Sequence, residues 1–389
     1  LFPYTTLFRS TTPNIADAAW EACASTKNFT VTTGDTLKTI YAFTKDTVGN
    51  ISASSNITMT LDTAPPAAPV ANLASANISS STSTTFTITD CLDRPYVLVS
   101  ESMIAPSASD SAWQTCSTSA AAISYTLVGP VLQSSHTLYV YAKDAVGNIS
   151  PATSASMTYD TTNPTLSLST SLGLLYKGGD VVALSFGASD TNGLSNFKLE
   201  YAANGTTYTT PITLATNATS YNWTVPASNT TTAKIRLVAT DNATTANVTT
   251  VYSDAFTIDS TAPSAPTLTR TSNQYSSSTS VTMTVGSCTD TSHILISETN
   301  SQPSVSDSNW QLCSTTASAF SKTVSGDGVH TIYAWAKDLA GNIASSANSI
   351  TMTLDTTVPV VALTSFNTGI FAGNQTQNIT WSLDRKSVV

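Results

Sequence analysis

Five cysteines carry the most specific chemistry that can be read from this chain. Cys91 and Cys116 lie 25 residues apart, and so do Cys288 and Cys313. Four thiols allow three connectivities, but each of these pairs falls inside one copy of a repeat, which selects pairing within the copy. A disulfide closing such a loop stabilises a fold by about 3 kcal/mol in the chain-entropy model, and it persists only in an oxidising compartment. The alternative is a pair of reduced, buried thiols, since free cysteine is commonly just a small core residue. Cys23 has the same Trp-x-x-Cys context as Cys116 and Cys313. Its partner is expected upstream, in a longer parent protein.

Oxygen ligands form the second candidate chemistry. The string Lys-Asp-x-x-Gly-Asn recurs with Asp46 and Asn50, Asp144 and Asn148, and Asp338 and Asn342. An aspartate that caps a turn, a glycine that supplies positive φ and an asparagine that tolerates it account for a tight hairpin turn. Calcium is the sharper alternative. Asp144, Asn148, Asp338 and Asn342, together with the Asp160 and Asp355 of the punctuating strings described below, could offer oxygens to a hard cation that stiffens a joint. One carboxylate per loop is thin against the six to eight oxygens that Ca²⁺ takes, so no cofactor is assigned and both readings stay open.

Aromatic side chains form the third candidate. Tyr139 with Tyr141, and Tyr333 with Trp335, alternate on one face of a strand that is otherwise polar outside. They could stack on sugars, or lie beneath the Trp-x-x-Cys segment and build a satellite core with Trp113 and Trp310. The three histidines do little for catalysis: His136 and His330 share one repeat position, where the first copy has Lys38, and His293 stands alone. No metal-ligand spacing, Gly-x-Ser-x-Gly, phosphate loop or clustered acids are present, so the chain is expected not to be an enzyme.

The elements that must hold these residues follow from an internal repeat. Asp62, Asp160, Asp259 and Asp355 sit in LDTAPP, YDTTNP, IDSTAP and LDTTVP, at intervals of 98, 99 and 96 residues. Each interval is the length of one Ig-sized sandwich, and the proline after each string favours the end of one strand and the start of the next. Two module types emerge. Type A carries Trp-x-x-Cys, an aromatic strand and the Lys-Asp-x-x-Gly-Asn turn. Type B lacks cysteine and reads YNWTVPASNTTTAKIRLVATDN before FTIDSTAP. The predicted boundaries are 11–62 (the C-terminal half of a type A module), 63–160 (type A), 161–259 (type B), 260–355 (type A) and 356–383 (the start of a type B module). Residues 1–10 and 384–389 translate, codon for codon, from a common short-read sequencing adapter and its reverse complement. They are therefore expected not to be biological, with the true sequence cut on both sides.

Short stretches of period-two alternation, rich in Thr, Val, Ile and Tyr and separated by Gly, Asn, Pro and Ser, recur throughout, and no sustained helical stripe does. The expected fold class is all-β, as tandem antiparallel sandwiches in an extended array. In the type B strand, Lys234 and Arg236 mark the outer face, which places Ile235, Leu237 and Ala239 inside. The same register puts Leu138, Val140 and Ala142 inside the type A module.

Charged residues make up only 10% of the 389 and hydrophobic residues 41%. The formal net charge of −9 becomes −11 without Arg9, Asp384, Arg385 and Lys386. An acidic chain with no basic stripe argues against nucleic acid as a partner, and no apolar run reaches the roughly 18 residues of a membrane span.

The xDTTxP joints, the AKDxxGNxS turns and the VPAS…KIRLVATD strand resemble those of bacterial Ig-like and fibronectin type III-like repeats in large secreted or cell-surface proteins of the adhesin type. The resemblance covers 11–383. It implies a passive extracellular stalk that carries a distal domain away from the cell. An adhesive module that binds glycan or protein, or an appendage of a secreted hydrolase, is the alternative. Partners, such as host or community glycans or proteins, would be met through domains outside this sequence. The Trp-x-x-Cys variant departs from the usual cysteine-free members.

Overall fold

The computed structural model describes residues 5–383 apart from 10–12, 14, 17, 75–76, 117–121, 287, 314–317, 366–368, 370–372, 374–375 and 377–378, with backbone only at 5–9, 318 and 383. Of the expected adapter residues, 1–4, 10 and 384–389 lie outside the described residues. Among those described, every regular element is a β-strand, and no helix is long and apolar enough to cross a membrane. The fold is all-β, in Ig-like and fibronectin III-like sandwiches.

Contacts divide the chain into two compact units. One comprises Leu1–Pro164, Asp190–Ser195 and Thr240–Val248; the other comprises Thr165–Ser189, Asn196–Ala239 and Thr249–Val389. In the first, a three-stranded sheet ordered Ile123–Thr126, Ser83–Ile88, Ala71–Leu73 packs on a five-stranded sheet ordered Ile78–Ser79, Thr153–Tyr159, Ser135–Lys143, Tyr96–Ser100, Gln114–Thr115. Phe86, Val97, Leu138, Val140 and Ala142 are fully buried between them. Alternation in Ser135–Lys143 dictates this: each second residue from Leu138 faces the other sheet, and burying a side chain of that size is worth about 1.5–3 kcal/mol.

Towards the N-terminus, a four-stranded sheet runs Glu21–Ala22, Thr5–Arg9, Leu37–Lys45, Ser55–Thr60. Thr5–Arg9 pairs antiparallel with Leu37–Lys45, from Thr5↔Lys45 to Arg9↔Tyr41. This is the register in which Tyr96–Ser100 pairs with Ser135–Lys143 in the next module, from Tyr96↔Lys143 to Ser100↔Tyr139. A strand edge with open donors and acceptors pairs with any extended segment in reach.

The second unit holds two sandwiches and a final two-stranded sheet, Val361–Ser365 with Thr380–Leu383. In the first sandwich, Thr165–Leu168, Val181–Ser189 and Ser220–Thr224 pack on a larger sheet built around Thr230–Asp241 and Leu194–Ala202. Edge-to-face pairs cross the interior, Phe186 with Phe197 at 5.2 Å and Trp223 with Phe256 at 5.9 Å. Ile235, Leu237 and Ala239 are fully buried. In the second sandwich, Ser280–Val285 lies at the centre of one sheet, and Gly328–Lys337 pairs with His293–Ser297 and Asn348–Leu354 in the other. Val281, Met283, Ile294, Ile332, Ala334 and Ala336 close its core.

Candidate functional site

The Lys-Asp-x-x-Gly-Asn turns do two jobs with adjacent residues. In the turn after Ser135–Lys143, Asp144 Oδ1 accepts from the backbone N–H of Val146, Gly147 and Asn148 at 2.7–2.9 Å, and Oδ2 accepts from Asn148 Nδ2 at 2.8 Å. Gly147 has φ of 109°, which only glycine adopts freely. Asn148 Nδ2 also donates to the carbonyl of Asp62, 3.2 Å away at the preceding joint. Asp338 and Asn342 repeat the arrangement and reach the carbonyl of Asp259 at 2.9 Å. Burial by itself would raise the pKa of Asp144, yet the donors of Asn148, Gly147 and Val146 together hold the carboxyl below its ordinary value.

This geometry replaces the cation shell considered for Asp144, Asn148, Asp338 and Asn342. The carboxylate oxygens are filled by N–H donors, and the amide presents nitrogen, not oxygen, to the joint. Asp355 accepts from the Thr357 N–H at 3.1 Å and belongs to no cluster of potential metal ligands among the described residues. The hairpin reading accounts for Asp144, Asn148, Asp338 and Asn342.

Asp160 differs. Its carboxylate converges with those of Asp190 and Asp241, one ligand atom of each lying within 4.8 Å of the others. Asp160 follows the strand Thr153–Tyr159, Asp190 follows Val181–Ser189, and Asp241 closes Thr230–Asp241. Asp160 and Asp241 are buried, at 2% and 0% exposed. Asp241 and Asn247 form the same turn device as Asp144 and Asn148, with two more residues between them. Asp241 Oδ2 accepts from Asn247 Nδ2 at 2.7 Å, and that nitrogen reaches the Asp160 carbonyl at 3.3 Å. Asn192 binds the other two acids, its N–H to Asp190 Oδ1 at 2.8 Å and its Nδ2 to Asp160 Oδ2 at 2.9 Å. The turn is moored to the preceding module, because Thr244 donates through N and Oγ1 to the Ile78 carbonyl and Ser80 Oγ donates to that of Thr245.

Charged carboxylates this close repel one another. The donor set is all oxygen, as a hard divalent cation requires, but Asp160 Oδ1 already accepts from Thr162 N and Asp241 Oδ1 from Ala243 N and Asn247 N, so an ion would have to share or displace these donors. Backbone carbonyls and water would have to complete the shell. The joint at Asp62 is built differently: Asp90, at the repeat position of Asp190, is paired with Arg94 at 2.9 Å. That guanidinium also donates to the Ala68 carbonyl. At the joint of Asp259 the same position is Ser287, which lies outside the described residues.

Tyr141 and Trp335 are buried, at 2% and 3% exposed, so neither offers an open ring face for stacking; Tyr139 and Tyr333 are half-buried. Tyr141 donates its hydroxyl to the Ser102 carbonyl in the segment that covers it. The tryptophans meet lysine. Lys143 lies 4.9 Å from the ring centres of both Trp113 and Tyr96 and donates to the Ala108 carbonyl, while Trp113 donates to that of Ser107. Lys337 with Trp310 and Lys45 with Trp20 repeat the clamp. Cation–π contact of this kind is worth about 0.5–1 kcal/mol. Disulfides join Cys91 to Cys116 and Cys288 to Cys313, with Cα atoms 5.7 and 5.8 Å apart, and Cys23 is a free, exposed thiol.

No family model matches the chain, and no curated protein matches it. Among solved structures it is similar to a Ca²⁺-stabilised adhesin that helps an Antarctic bacterium reach out and bind ice, at 17% identity over 91% of this chain and 90% of that one, with a TM-score of 0.35. A tetra-tandem repeat from the extending region of a large adhesion protein shares 18% identity over 92% of each chain, with a TM-score of 0.28. Fibronectin(III)-like modules of Clostridium thermocellum CbhA share 16% identity over 49% of this chain and 94% of that one, with a TM-score of 0.27. At these scores the architecture rests on the strand order and pairing described above.

Proposed function

We propose that this chain is a non-enzymatic stalk segment of a large bacterial surface or secreted protein, with module boundaries near Asp62, Asp160, Asp259 and Asp355. The observation that carries this reading is a device that recurs at three of those joints: an Asp–Asn turn in one module donates to the backbone of the joint before it. Such a device spends its polar groups on joining modules. Two cystines support an extracellular location, where disulfides persist. The scarcity of lysine and arginine, 15 in 389, suits a segment exposed to proteases. At the joint of Asp160, the carboxylates of Asp160, Asp190 and Asp241 would hold Ca²⁺ and remove their mutual repulsion.

Small-angle scattering of the oxidised full chain, with Ca²⁺ and then with EDTA, tests the stalk. A rod-like profile, more flexible after chelation, is expected. A compact particle in both conditions would contradict it. Of the four aromatic residues considered for stacking, Tyr139 and Tyr333 stay half-buried and could still meet a ligand in the adhesive reading. Glycan-array binding abolished by Y139A with Y333A would favour that reading over the spacer.

A further inference from the structure

A second feature recurs at the joints. The residue after each punctuating aspartate, or the one following it, is fastened by a side chain from a turn in the module just completed. Asp35 accepts from Thr63 N and Oγ1 at 2.8 and 2.7 Å, and Gln133 accepts from Thr161 N at 2.8 Å. Asp327 accepts from Thr356 N and Oγ1 at 2.9 and 2.7 Å and from Thr357 Oγ1 at 2.6 Å. In each type A module the turn that carries this latch is itself held by a basic side chain from the next strand. Lys38 donates to the Thr33 carbonyl at 3.2 Å, His136 Nε2 meets the Leu132 carbonyl at 2.9 Å, and His330 Nε2 meets the Gly326 carbonyl at 2.8 Å. Gln133 and Asp327 directly follow the braced carbonyls in the chain.

Both nitrogens of the His330 ring face acceptors. A carbonyl oxygen only accepts, so Nε2 carries a hydrogen; Nδ1 lies 3.1 Å from Glu298 Oε2, a carboxylate that also accepts. A ring with a hydrogen on both nitrogens is an imidazolium. Lysine holds the same repeat position in the first module. Glu298, from the segment after His293–Ser297, is the charged side chain in contact with the His330 ring among the described residues. For His136 the corresponding acid is Glu101, at 3.7 Å.

We propose that His330 is a pH-dependent brace of the joint at Asp355: its imidazolium ties the Gly326 turn to Glu298, holds Asp327 on Thr356 and Thr357, and slackens this latch when it loses its proton. Where the first module carries Lys38, histidine makes the same brace reversible. The Gly326 carbonyl raises the ring's pKa above 6.5, burial opposes the rise, and Glu298 adds to it. With the folded value raised, the brace is fully present below the unfolded value of 6.5 and is lost as pH rises through the higher folded value. An acidic setting tightens this joint and an alkaline one loosens it.

Proton NMR of the full chain between pH 5.5 and 8.5 tests the brace, following His330 Hε1 and the Thr356 amide. The expected result is a His330 midpoint above 6.5, with the Thr356 amide shifting at the same midpoint. In H330K the amide should stay at its low-pH position throughout, and in H330Q at its high-pH position. A His330 midpoint at or below 6.5 overturns the proposal even if neither variant folds, and so does a Thr356 amide that still titrates in H330Q.

Discussion

The joints at Asp62 and Asp160 share a plan and differ in one position. At both, an aspartate follows the last strand and an Asp–Asn turn of the following module donates to its carbonyl, from Asn148 in one case and Asn247 in the other. At Asp62 the third acid, Asp90, is answered from within the chain by the guanidinium of Arg94. At Asp160 the third acid, Asp190, is turned onto two buried carboxylates. One joint carries its own cation, and at the other the proposed Ca²⁺ would come from solution. A repeat can thus keep its hydrogen bonds and vary its electrostatics joint by joint.

The largest expected effect is the calcium response of the Asp160 joint. At 100 times Kd, Ca²⁺ should stabilise the chain by about 2.7 kcal/mol, read as a higher urea midpoint that EDTA reverses. D190N should abolish that gain while keeping the Asn247 bonds, because Asp190 takes no part in them. An unchanged gain would place the ion elsewhere. Next come Asn148→Ala and Asn247→Ala, each removing a donor to a carboxylate and to a joint carbonyl. About 1–3 kcal/mol should be lost in each. The loss from Asn148→Ala should be the same in EDTA; if it follows calcium, the two joints are not as different as described.

Arg94→Ala should cost about 1 kcal/mol, since Asp90 is half exposed and its pair is well screened. Calcium should not restore the loss, and restoration in a urea titration would show that the Asp62 joint also takes the ion. Smallest is the acid response of the Asp144 turn. Its lowered pKa adds stability that is present above the unfolded value of 3.8 and lost as pH falls through the lower folded value. Acid unfolding monitored by near-UV circular dichroism should lose its steepness in Asn148→Ala.

Much of this was legible in the sequence, because a period of two dictates which side chains enter a sandwich. Ile235, Leu237 and Ala239 alternate with Lys234 and Arg236, and burial follows the alternation. The cysteine spacing likewise pointed to the two disulfides. Alternation alone left two readings open at Tyr141 and Trp335, stacking surface or satellite core; both lie on the outer face of their strands yet are buried, and Tyr141 meets Ser102 of the segment closed by Cys91 and Cys116. The acid cluster was hidden for another reason. Asp190 sits in an irregular loop, and Asp241 is six residues from Asn247 where the type A motif has four. Only laying ATDNATTANV under AKDAVGNIS, and SFGASD under TFTITD, brings Asp241 and Asp190 into view. The Lys–Trp clamps were missed because lysine outside a sheet reads as a solvated charge, whereas its stem and ammonium here bridge a ring and a carbonyl.

The central claim is that the Asp160 joint alone, of those described, is completed by a metal ion. Calorimetric titration of Ca²⁺ into the EDTA-stripped, oxidised full chain addresses it directly. The account predicts one site per chain, absent in D190N. No binding, or equivalent sites at several joints that survive D190N, would contradict it.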